Sequence, residues 1–388
     1  MRILDHQRYW AYLKAYLICF TALVGLYVII DAFSNFDEFT QRASGVIPIA
    51  KVMGRYYLVH MSDFYDRLCG VIGMMAAIFT VTWMQKNNEL LAMLAAGVST
   101  QRVIRPVIIS AVLVSGLAVA NQEWIMPDLG EELMKPHADD GSIEVKVASR
   151  YDSNRVLIHG DAADRASQTI KSFFATIPVE VYGEIIEFQA LQARYVPPSD
   201  ISSPMRGGWL LRGVTPLDKP LPANDLPNER RLLVKLSDLK GFPPPLETGK
   251  DLVGDSYFLH TSLGFRSLTR RRAWYQYATT PDLIRGLSDP ANEPEKNDIA
   301  VFLHGRILRP CLALALLFLT LPQVLGGYGR NMFVNLGISL GTAGVFYGLN
   351  FISQYLGTHA VIAPEMAAWG PLIGFGTIAV FRWDAIRT

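Results

Sequence analysis

Residues Gln85 to Pro106 read QKNNELLAMLAAGVSTQRVIRP, a short polar-edged segment caught between two long apolar runs. Asn87 or Asn88 is suited to cap the start of a helix here. Glu89 falls in its first turn, where the helix dipole favours a carboxylate, and Gly97 suits the left-handed position just past its end. Ser99 is placed to cap the helix that follows. Leu90, Leu91, Met93, Leu94, Ala95 and Ala96 make the segment apolar enough to dock on something. At about nine residues it is far short of the roughly 20 needed to cross a bilayer. It therefore belongs at the membrane surface or in a partner's groove, although a plain turn joining two membrane helices satisfies the same spacing.

The composition agrees with apolar surroundings. Half of the 388 residues are hydrophobic and 18% are charged, with a mean hydropathy of +0.21, the balance of a membrane protein rather than a soluble enzyme. A formal charge of +1 argues against nucleic acid as a partner. Cys19, Cys69 and Cys311 lie in or beside apolar runs without metal or redox spacing and read as small core residues. Met1 to Trp10 is polar and basic, but the run after it is long enough to stay as a membrane helix, so no cleavable signal peptide is expected.

Working outward, Ala15 to Ile30 gives a first span, Leu68 to Met84 a second and Val103 to Ala120 a third, with Pro106 expected in its first turn, where no intrahelical bond is lost. Arg2, Arg8 and Lys14 place the N-terminus in the cytoplasm, and Lys86, Arg102 and Arg105 place the opening stretch there too. The link Asp31 to Arg67 is then outside. Glu123-Trp124-Ile125-Met126-Pro127 ends the third span with an interfacial Trp and a helix-stopping Pro.

From about Gly141 to Leu263 the pattern changes to short alternating runs, such as Arg155 to His159, Val179 to Tyr182 and Trp209 to Val214. Pro, Gly, Ser and Asp clusters separate them, and Pro-rich loops fall at Pro197 to Pro204, Pro216 to Pro227 and Pro243 to Pro245, the pattern of strands in a β-sandwich. His137, His159 and His260 read as surface or structural residues. A helical connector follows, with Thr280 expected to cap Pro281-Asp282-Leu283-Ile284. Val301 to Val324, Met332 to Tyr355 and Val361 to Phe381 make three more spans. The expectation is six transmembrane helices, arranged as residues 1–135 (spans one to three, with the short helix at 87–97), 136–265 (an extracytoplasmic all-β domain), 266–300 (connector) and 301–388 (spans four to six).

No phosphate-binding GxxxxGK[ST] loop occurs, so the chain does not itself hold ATP in the usual way, and it reads as lacking HExxH, GxSxG and CxxC patterns. Neither a cofactor nor a metal site is expected, and the chain does not read as an enzyme. The spans carry almost no ionisable residue near their centres, which weakens an ion-coupled transporter reading. Gly337, Gly341, Gly344 and Gly348 repeat at three- to four-residue spacing, a face that permits close helix packing against a partner or within the chain.

Several motifs then resemble one family. Asn88-Glu89-Leu90-Leu91, then Ala96-Gly97-Val98-Ser99, then Arg102 and Pro106 look like the first signature of the LptF/LptG permeases. Glu123-Trp124-Ile125-Met126-Pro127 is similar to that family's E-W-x-x-P. His304-Gly305-Arg306-Ile307-Leu308-Arg309-Pro310 resembles its H-x-R-x-x-x-P, and Ala367-Ala368-Trp369-Gly370-Pro371 its A-x-W-x-P. Ala190 to Tyr195 with Gly208 to Leu211 is a weaker match to its jellyroll signature. The start Ile3-Leu4-Asp5 and the span ending Tyr27 to Asp31 lean toward the LptG branch.

The resemblance implies a membrane α-helical protein with an inserted periplasmic all-β jellyroll-like domain, in the Gram-negative inner membrane, with both termini cytoplasmic. It implies a permease subunit of a lipopolysaccharide exporter that pairs with a homologous permease as an LptF/LptG heterodimer, is driven by an LptB-type ATPase dimer, and passes lipid to LptC and LptA. On that reading the opening segment is the coupling helix. Glu89, Leu90, Leu91, Leu94, Gly97 and Arg102 carry the ATPase coupling. Members often place basic residues near the outer end of the first span, whereas this chain has Asp31, Asp37 and Glu38 there. Either head-group contact falls to Arg42, Lys51, Arg55, Arg306 and Arg309, or the cargo is less phosphorylated. The competing readings are a membrane-anchored β-domain scaffold or sensor, for which six spans exceed what anchoring needs, and an exporter of the FtsX or MacB type, which has a different span count.

Overall fold

The computed structural model describes residues 2–42, 45–134, 144–183, 185–199, 205–215, 232–236, 255–270, 273–326 and 332–384. The chain divides into two compact units, residues 1–138 with 275–284 and 295–388, and residues 139–274 with 285–294.

The first unit is helical. α1 (Arg2–Ser34), α3 (Val46–Lys86), α5 (Thr100–Ala120), α10 (Lys296–Gly326), α11 (Met332–Thr358) and α12 (Pro364–Asp384) are its long helices, and α2 (Phe36–Arg42), α4 (Glu89–Ala95) and α6 (Met126–Leu133) are short. Among the described residues, five helices are long and apolar enough to cross a membrane, namely Asp5–Ser34, Ile47–Lys86, Thr100–Gly130, Pro290–Gly326 and Phe333–Thr358. α12 forms as a helix of 21 residues but falls outside that set, because Glu365, Trp369, Pro371, three glycines and Arg382 dilute its apolar run.

The helices depart from expectation at several places. The segment before the second span is not an open link, since α3 runs unbroken for 41 residues from Val46. Lys51, Arg55, Asp63, Asp66 and Arg67 lower its hydropathy without breaking its helix propensity. Pro106 is not in the first turn of α5, because that helix starts at Thr100; its missing N–H therefore leaves the Arg102 carbonyl without its intrahelical donor. Thr279, not Thr280, caps α9 (Thr280–Ser288): its hydroxyl accepts from the Asp282 amide at 3.2 Å.

Small residues set how closely these helices approach. Tyr12, Ile72, Ala76, Ala77, Ile78, Val107, Leu316 and Leu321 form the centre of the helical core. A Cβ at Gly357 would stand 2.4 Å from the Ala367 Cβ and 2.9 Å from Val301 Cγ2, so α11 approaches α12 and α10 there only because that side chain is absent. The Gly337, Gly341, Gly344 and Gly348 face is the opposite case. A Cβ at any of the four meets nothing within 4 Å among the described residues, so no close approach there depends on the missing side chains.

The second unit is built on one antiparallel sheet of β1 (Val145–Lys146), β2 (Arg150–Tyr151), β3 (Leu157–Asp164), β4 (Thr169–Ile177), β5 (Ile186–Val196), β6 (Gly208–Val214), β7 (Leu233–Lys235) and β8 (Asp255–His260). The order is β1-β3-β4-β5-β6-β8-β7, with β2 also pairing β3. Burial alternates along β3 and β5 as the pleat requires. One face carries Ile158, Ile170, Phe173, Leu211 and fully buried Trp209, whose indole N–H donates to the Leu263 carbonyl at 2.9 Å. Val179–Tyr182, read above as a strand, is a single helical turn. Pro178 stands at its N-cap in extended backbone, φ −75° and ψ 162°, and Gly183 ends it at φ 79°. The expected loops at 216–227 and 243–245 and His137 lie outside the described residues.

Candidate functional site

α4 is held at both ends by backbone geometry rather than by side-chain caps. Asn88 sits at its N-cap in the left-handed region, φ 59°, without a side-chain cap bond, so the expected Asx cap is replaced by the tolerance of Asn for that conformation. At the other end the Val98 amide donates to the Met93 carbonyl and the Gly97 amide to the Leu94 carbonyl, both at 3.0 Å, with Gly97 at φ 78°. This is the paired closure of a Schellman motif, and Met93 and Val98 pack beside it as that motif's apolar contact. Ser99 stands at the N-cap of α5, again without a side-chain bond.

The two faces of α4 differ. Leu90 is 8% exposed and packs with Met84 and Val103, which docks the helix onto the ends of α3 and α5. Leu91 is 57% and Leu94 38% exposed, and Glu89, Gly97 and Arg102 are exposed as well. The segment thus presents two leucines and a carboxylate outward from a rigid seat. Beside it lies a cavity of about 740 Å³ whose lining includes Arg8, Lys14, Phe79, Trp83, Met93 and the exposed Glu89 itself. The Arg8 guanidinium contacts the Met93 sulfur and reaches the Val103 carbonyl at 3.4 Å. The Gln85 side-chain amide donates to the Val324 carbonyl at 3.0 Å, tying the end of α3 to the end of α10.

The arginines assigned to head-group contact do not form one cluster. Arg55 is exposed and pairs with Glu132 at 3.0 Å, and Lys51 is exposed; the Arg42 side chain lies outside the described set. Arg306 is 5% exposed. It pairs with Glu123 at 3.2 Å and donates to the Ala278 carbonyl and to the Gln122 carbonyl at 2.6 Å. Glu123 in turn accepts from the Thr280 amide at 3.1 Å and from its hydroxyl. Arg309 pairs with Asp66, whose side chain is 5% exposed, and Arg67 pairs with Asp63 at 2.8 Å. Arg306 and Arg309 are therefore engaged with acids of α3 and of the turn after α5, which is π-helical over Asn121–Ile125. Sequence reading missed Asp63 and Asp66 because they fell in a segment taken as a link. The signal was present in Asp63, four residues before Arg67 along one helix and three before Asp66.

The expected absence of a GxSxG pattern does not hold, although the pattern carries no chemistry. Gly337-Ile338-Ser339-Leu340-Gly341 matches the GxSxG pattern of serine hydrolases. It lies inside α11 rather than on a strand-to-helix turn, and Ser339 is 0% exposed, so it carries no nucleophile. Among the described residues, no group of three His, Cys, Asp or Glu side chains is placed to hold a metal.

A family model for "Lipopolysaccharide export system permease LptF/LptG" matches residues 9–139 and 248–384, which take in α1 to α6, β8 and α8 (Phe265–Thr269) to α12 and leave β1 to β7 unmatched. The model spans both branches and does not separate LptF from LptG. No curated protein matches the chain. The match covers well over half of the sequence, and the chain belongs to the LptF/LptG family of lipopolysaccharide export system permeases.

Proposed function

We propose that this chain is the membrane subunit that converts the work of a separate ATPase into extraction of lipopolysaccharide from the inner membrane. The observation that carries this reading is α4: too short to span, seated by Leu90, closed by Gly97, and turning Glu89, Leu91 and Leu94 outward. An exposed pair of leucines beside a carboxylate on a braced helix is the chemistry of a groove-docking contact. Arg102, in the first turn of α5, completes the set. An LptB-type ATPase dimer would grip this contact, and the Gln85 to Val324 bond would pass its motion on to α10.

The chain supplies no nucleotide site of its own in this reading. It pairs with a homologous permease, and the open Gly337 to Gly348 face of α11 supports a close helix contact between chains. α12 acts as a sixth span, so both termini are cytoplasmic and the β-unit is periplasmic, where a jellyroll-like domain of residues 136–265 hands lipid to LptC-type and LptA-type proteins. Residues 1–135 and 301–388 form the two membrane halves and 266–300 the connector. Lys51, Arg42 and Arg55 remain the cationic candidates for head-group phosphates, whereas the internal pairing of Arg306 and Arg309 favours a bracing role for them.

The test is co-purification from detergent-solubilised membranes. The wild-type chain is expected to bring down an ATPase subunit and a second permease. Glu89→Ala should weaken the first without loss of the second. If the chain purifies without any ATPase, the alternative reading as a membrane-anchored scaffold or sensor stands instead.

A further inference from the structure

Between α3, α5, α10 and α11, inside the helical unit, lies a chamber of about 250 Å³. Its lining combines apolar atoms of Cys69, Leu312 and Phe346 with polar side chains of Asp66, Gln122, Arg306 and Asn350. Each of these four polar residues carries a buried atom without a protein partner among the described residues: Asp66 Oδ1, Gln122 Nε2, Arg306 Nε and Asn350 Oδ1. Asp66, Gln122 and Arg306 are 5%, 3% and 5% exposed. A buried polar atom without a partner keeps its desolvation cost uncompensated, and four such atoms around one cavity would be a heavy burden on a fold of ordinary stability.

The chemistry of the lining defines what relieves that cost. The charges are already matched, with Asp66 on Arg309, Arg306 on Glu123 and Arg67 on Asp63, so an ion would enter uncompensated. Two of the four atoms are acceptors and two are donors, so the occupant must both donate and accept. It must also be small and neutral. We infer that the chamber is a water-binding site in the interior of the helical unit, its occupants completing the hydrogen bonding of Asp66, Gln122, Arg306 and Asn350. Its volume has room for on the order of ten water molecules. Such water would also let the Arg306 and Arg309 pairs exchange partners at low cost when α10 moves, which a dry seam between four helices would forbid.

Radiolytic hydroxyl-radical labelling of the full-length chain in lipid nanodiscs tests this, because radicals form at bound water and modify side chains that bulk solvent does not reach. Cys69 and Phe346 line the chamber and are 5% and 1% exposed, while Met74 and Tyr12, at 1% and 0%, are equally buried in the helical core and do not line it. The expected result is modification of Cys69 and Phe346 at least tenfold faster than of Met74 and Tyr12. A second arm uses Gln122→Met, which removes the amide at nearly constant shape. It should lower the thermal midpoint by about 2 °C or more if that amide binds water, and raise it if the amide is orphaned in a dry cavity. Labelling of the four side chains at equal rates, or a raised midpoint for Gln122→Met, would each overturn the inference.

Discussion

Leu90 and Leu91 are adjacent residues of one type with opposite exposure, and the proposed coupling role gives them different work. Leu90, 8% exposed against Met84 and Val103, seats α4. Truncating it to Ala should cost about 2 kcal/mol, the lower end for a buried leucine because its cluster is small and lies at the edge of the helical unit. Leu91 is 57% exposed. Truncation there should leave stability within about 0.5 kcal/mol, as surface changes usually do. Its effect belongs to the partner. Full burial of a leucine side chain is worth about 1.5–3 kcal/mol, and a partner can cover only the part that is exposed, so about 1–1.5 kcal/mol is at stake. That converts to roughly a five- to tenfold weaker Kd for the ATPase subunit. The assay is paired: thermal unfolding of each purified variant in detergent, and titration of the ATPase subunit onto the same preparations. Equal loss of stability in both variants, or unchanged ATPase affinity in Leu91→Ala, would refute this division of labour.

Three further outcomes follow from the geometry. Glu123→Gln removes the charge that faces buried Arg306 and should destabilise the chain by about 3 kcal/mol. In a double-mutant cycle with Arg306→Met, measured by unfolding, the two losses should be clearly less than additive. Gly97→Ala should cost about 1 kcal/mol, all of it from the left-handed backbone, since a Cβ there meets nothing within 4 Å, and Gly97→Asn should recover most of it. Burial without a partner for Nε2 holds the His260 imidazole below its ordinary 6.5. The unfolded chain then takes up the proton first, so the stability of the β-unit should fall as pH drops below about 6.5, and His260→Phe should flatten that slope in a pH series of unfolding midpoints.

The helical half of the fold was legible because long apolar runs leave few alternatives, and the short segment at Gln85 to Pro106 announced itself through Gly97 and the spacing of its leucines. What the sequence hid was context. The charged residues of α3 interrupt its hydropathy but not its helix, so a continuous rod read as an extracytoplasmic link. Val179 to Tyr182 alternates like a strand, yet Pro178 and Gly183 confine it to one helical turn. Arg306 and Arg309 looked available for phosphates because their partners, Glu123 and Asp66, lie more than 180 residues away in the chain. Only tertiary structure brings such pairs together.

The π-helical turn Asn121–Ile125 has one more residue than a plain α-turn would hold. In helical terms that extra residue swings everything downstream through roughly 100°. Deleting a single residue there would leave the helix intact but aim Met126–Leu133 at a different neighbour, and would pull Glu123 out of line with Arg306. The chain's exit from its third span is thus set by counting, and an error of one would misdirect it without unfolding anything.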